Sequence, residues 1–71
     1  MDHKELLRKV KRYAKDQGLE FHWEALRGKG GHGTVHLGKR FSVVPTGKGE
    51  LKTGTQRAIL KQLGLKEEDV R

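Results

Sequence analysis

The spacing of the apolar residues changes twice along this chain, and that change limits the folds open to it. Leu6, Leu7, Val10, Tyr13 and Ala14 recur at helical spacing, with Lys9, Lys11, Arg12 and Lys15 off that stripe. Asp2 and Glu5 have the spacing of a capping box, and Gly18 is a helix stop, which predicts a first helix over residues 3–17. From Leu19 the period becomes two: Leu19, Phe21, Trp23 and Ala25 alternate with Glu20, His22 and Glu24. Val35 and Leu37 alternate with His32, Thr34 and His36 in a second strand. Gly38-Lys39 then turns the chain into a third, Arg40 to Val44, ended by Pro45. Helical spacing returns with Ile59, Leu60 and Leu63, after an N-cap expected from Thr53 or Thr55 and before a stop at Gly64. Leu65 and Val70 can anchor one last turn.

This order, α-β-β-β-α, predicts an α+β fold: a two-layer sandwich with both helices on one face of a three-stranded antiparallel sheet. Parity assigns the faces. With Phe21, Trp23, Val35, Leu37, Phe41 and Val43 toward the core, His22, Glu24, His32, Thr34, His36, Arg40 and Ser42 share an open, polar face. The whole chain, residues 1–71, reads as a single domain without repeats or linker. A domain this small buries only about 60% of its unfolded surface, so its stability is expected to be marginal.

Leading from the first strand into the second is the stretch Arg27-Gly28-Lys29-Gly30-Gly31-His32-Gly33-Thr34-Val35. Glycines let backbone N–H groups converge on an anion, and Arg27 and Lys29 add charge to that turn. His32 stands at its end, and histidine is the residue type suited to proton transfer near neutral pH. Sixteen Lys plus Arg against nine Asp plus Glu give a net charge of +7, which draws polyanions, nucleic acid first among them. The chain has no cysteine, hence no disulfide and no thiolate metal site. No apolar run approaches the roughly 20 residues of a membrane span, and no signal-peptide core opens the chain. The expectation is a cytoplasmic protein with no membrane association.

Two blocks of this sequence resemble the HicA toxins, the RNA-cleaving partners in HicA–HicB toxin–antitoxin pairs. One is Arg27-Gly28-Lys29-Gly30-Gly31-His32-Gly33, similar to the family's Gly-Ser-His segment with its catalytic histidine. The other runs from Glu50 to Leu65 and includes Thr53-Gly54-Thr55-Gln56-Arg57-Ala58-Ile59-Leu60-Lys61-Gln62. It resembles the family's Gly-Thr-Leu-Arg-x-Ile-Leu-Lys-Gln segment. Gly31 stands where the family commonly has serine, and Gly33-Thr34 replace a bulkier His-aromatic continuation. The resemblance implies a fold like that of double-stranded-RNA-binding domains. It also implies metal-independent cleavage of mRNA, with no cofactor, and neutralisation by a HicB-type antitoxin.

Carried onto this chain, the resemblance makes His32 the catalytic base or acid. Charge and turn chemistry add Arg27, Gly28, Lys29, Gly30 and Gly31, and the start of the second helix adds Lys48 and Lys52, as the expected RNA- and phosphate-binding set. Arg57 is a further phosphate candidate there. By pattern alone His32 is more simply an exposed strand residue. His36, two residues on, is a weaker candidate for a second proton carrier, and a zinc site on His32 and His36 lacks further ligands. A monomer is expected when the chain is free. Two alternatives stay open: a non-catalytic RNA-binding module of the same fold, and a protein whose basic surface serves only an acidic partner. Few side chains are expected free on the open face to read bases, which predicts low sequence specificity.

Overall fold

A computed structural model describes residues 1–25, 31–47 and 49–70. Helix α1 (His3–Gln17) is followed by strands β1 (Phe21–Ala25), β2 (His32–Leu37) and β3 (Arg40–Pro45), then helix α2 (Thr53–Leu63) and a 3-10 turn, Glu67–Val70. The element order is the one the periodicity predicts. The strands form an antiparallel meander in the order β1-β2-β3, so β2 is central.

Both helices stop by the same device. Gly18 and Gly64 are left-handed, with φ 67° and 75°. The N–H of Leu19 donates to Ala14 O at 2.8 Å, and that of Leu65 donates to Leu60 O at 2.8 Å. Each stop thereby satisfies helix-end carbonyls and drops an apolar residue beside the last turn. This moves Leu19 out of the first strand: it serves the cap, stays 42% exposed, and β1 starts two residues later. At the start of α1, Asp2 Oδ1 accepts from the Glu5 N–H at 2.8 Å, while the Glu5 carboxylate turns to Arg8, 3.8 Å away. The threonine cap expected for α2 does not form. Lys52 is the N-cap residue without a side-chain bond, Thr53 already belongs to the helix, and Gln56 Nε2 donates to Leu51 O at 3.1 Å.

The core is one cluster. Leu6, Val10 and Ala14 of α1 meet Ile59, Leu60 and Leu63 of α2 over Val35, Leu37 and Val44 of the sheet, with Leu65 and Val70 closing it. Phe21 and Trp23 pack against it half-buried. Both helices therefore share one sheet face and leave the other open.

The parity expected for β3 is reversed. Phe41 and Val43 are 62% and 53% exposed, whereas Ser42 and Val44 are buried. The cause is the turn. Gly38 and Lys39 form a two-residue connection, which sets Leu37 opposite Arg40, and directly opposed residues share a face. Since Leu37 is a core residue, Arg40, Ser42 and Val44 take the core side and Phe41 and Val43 the open side. The Arg40 side chain lies beside the α2 stop: a Cβ added at Gly64 would sit 3.0 Å from its Nε. There a cation complements the negative end of the helix.

Candidate active site

His32 is the first residue of β2 and is exposed. Strand alternation places it on the open face with Thr34 and His36, and its cross-strand partner is Pro45. Pro45 has no N–H, so it suits a non-bonded pair at the end of a ladder. Just before it, Gly31 O accepts from the Thr46 N–H at 2.6 Å, which ties the start of β2 to the segment leaving β3. Among the described residues, a Cβ added at Gly31 would meet only Gly47 N, at an ordinary 3.8 Å. A serine at this position clashes with none of them.

Gly33 differs. It is buried on the core side, and a Cβ there would overlap the Trp23 indole and approach Glu24 O to 3.0 Å. The missing side chain makes room for the tryptophan next to the histidine. The replacement of a bulky residue at this point is thus coupled to Trp23 in β1.

A groove of about 410 Å³ runs between the β3 edge and α2, lined by His32, Val43, Pro45, Thr55, Ala58 and Gln62 among others. Its lining includes one imidazole, two hydroxyls (Ser42 and Thr55) and one carboxamide. Thr55, Ala58 and Gln62 lie at helical spacing on one side of α2. Sequence reasoning missed Thr55 and Gln62 as site residues. Their spacing was visible, but nothing in it indicated that this side of α2 would face the strand carrying Val43.

The other expected residues divide. Arg27, Gly28, Lys29, Gly30 and Lys48 lie outside the described residues. Lys52 is exposed at the N-cap of α2, where the positive end of the helix favours anions. Arg57 Nε donates to Glu67 Oε1 at 2.8 Å in an exposed ion pair. His36 Nε2 stands 4.0 Å from Glu24 Oε2. Among the described residues, no group of three or more His, Cys, Asp or Glu is placed to hold a metal ion. Among them too, no helix is long and apolar enough to cross a membrane.

Fold and site together define a small basic α+β domain with a solvent-facing histidine at the mouth of a groove. Residues 4–65 match the family described as HicA toxin of bacterial toxin–antitoxin, and the chain belongs to that family. A relative from Pseudomonas fluorescens (strain Pf0-1), named probable mRNA interferase HicA, is 41% identical over 58 residues, covering 80% of this chain and 90% of its own length. No solved structure matches the chain.

Proposed function

We propose that this chain is a single-domain mRNA interferase that cuts RNA with His32, needs no metal, and is silenced by a HicB-type antitoxin. The observation that carries this reading is the exposed imidazole at the groove mouth, in a chain of the HicA family. RNA supplies its own nucleophile. His32 removes the 2′-OH proton, the O2′–P bond forms, the P–O5′ bond breaks, and the departing O5′ takes a proton from solvent water. Lys29 and Arg27, with the N–H groups of residues 28–31, hold the phosphate oxygens as charge develops. Lys52 and Lys48 receive flanking phosphates near α2. Thr55 and Gln62 offer hydrogen bonds to the ribose or phosphate seated in the groove.

The net charge of +7 supports both partners, RNA and an acidic antitoxin surface laid over the site. An mRNA substrate places the work in the cytoplasm. The test is end-labelled RNA incubated with the pure chain in excess EDTA, beside a His32→Ala variant shown to be folded. Cleavage by the unaltered chain alone is the expected result. Salt-sensitive binding with no cleavage by either protein would instead favour the non-catalytic RNA-binding module.

A further inference from the structure

The reversed parity of β3 puts an aromatic ring where the sequence suggested none. Phe41 is the most exposed large apolar residue of the sheet. It begins a row of rings, one from each strand: the Phe41 and His36 centroids are 6.1 Å apart, and those of His36 and His22 are 5.7 Å apart. The planes are tilted by 36° and 41°, so the row forms a stepped surface and not a closed stack. Exposed Val43 and half-buried Pro45 continue this surface along β3, and Pro45 pairs with His32.

We propose that the open sheet face is a stacking platform for the bases of single-stranded RNA, which leads the strand to His32. This rests on the reading of RNA as substrate and names its form. The eight residues of the face are His22, Glu24, His32, Thr34, His36, Phe41, Val43 and Pro45. They include no lysine or arginine, so the face offers rings to bases and not cations to phosphates. Its one carboxylate, Glu24, faces the His36 imidazole and repels phosphate, which turns the sugar-phosphate chain outward and the bases in. The excess positive charge elsewhere on the chain holds the polyanion close. Phe and His on an exposed antiparallel sheet are suitable partners for two or three splayed bases, while duplex RNA hides its base faces. From His36 to His32 is four residues of strand, about 13 Å, a short reach for an extended oligonucleotide.

The experiment uses the full chain with His32→Ala, so that RNA stays intact. Its affinity is measured for an unstructured labelled oligoribonucleotide and for a duplex of the same sequence, with Phe41, Phe41→Ala and Phe41→Trp. Stacking on one ring predicts that Phe41→Ala weakens single-strand binding roughly 5- to 150-fold. Phe41→Trp should restore it, and duplex binding should not change. Equal single-strand affinities for Phe41 and both variants overturn the platform, as does a parallel loss of duplex binding. Cleavage by the chain with His32 intact is assayed separately. If it cuts RNA and Phe41→Ala binds normally, the platform alone fails. If it cuts nothing while Phe41→Ala still loses single-strand binding, the nuclease reading fails and the platform stands.

Discussion

Gly31 and Gly33 flank His32 and do opposite work. No described residue crowds the first, so Gly31→Ser should change stability by less than about 0.5 kcal/mol in urea unfolding. It adds a hydroxyl beside the imidazole, and its cleavage rate should be no lower than that of the unaltered chain. The second is filled by a neighbour. Gly33→Ala forces its methyl into the Trp23 ring and should cost about 1–3 kcal/mol by the same measurement, with a change in tryptophan fluorescence. At this scale the exposed place of His32 at the start of β2 was legible from strand alternation, while its proposed role came from the resemblance and not from the pattern alone. The role of Gly33 was not legible, since it depends on a ring ten residues away brought near by strand pairing.

At the scale of elements, both helices could be read closely because glycine marks each end and the apolar stripe marks each face. The strands could be placed but not wholly oriented. Phe41 and Val43 look like core residues, and their hydrophobicity outweighed the quieter signal of Gly38-Lys39. A two-residue turn after Leu37 already implied that Arg40, Ser42 and Val44 point inward, with small Ser42 fitting between the helices and the sheet. The register makes a sharp prediction. Val44→Ala should lose about 2 kcal/mol of stability, and Val43→Ala less than about 0.5 kcal/mol. The reverse order in denaturant midpoints would contradict the pairing of Leu37 with Arg40. The threonine cap failed for a related reason: Lys52 holds the N-cap position, so Thr55 lies a turn into α2 and faces the groove instead.

For the whole molecule, the sequence's charge and length were enough to suggest a small polyanion-binding domain. They could not show the groove, which arises from how β3 meets α2, nor that Phe41 and Val43 would join the open face that strand parity predicted. RNA binding by the His32→Ala chain should weaken linearly in logarithmic plots against salt, with a slope that counts the phosphates engaged. Phe41→Ala should lower affinity without altering that slope, since a ring neutralises no phosphate. The central claim concerns His32, and single-turnover cleavage of a labelled mRNA tests it most directly, with a melting curve recorded for each protein. His32→Ala should slow cleavage about 100- to 10,000-fold while its melting curve stays that of the unaltered chain. Equal cleavage rates from the two folded proteins would contradict the account.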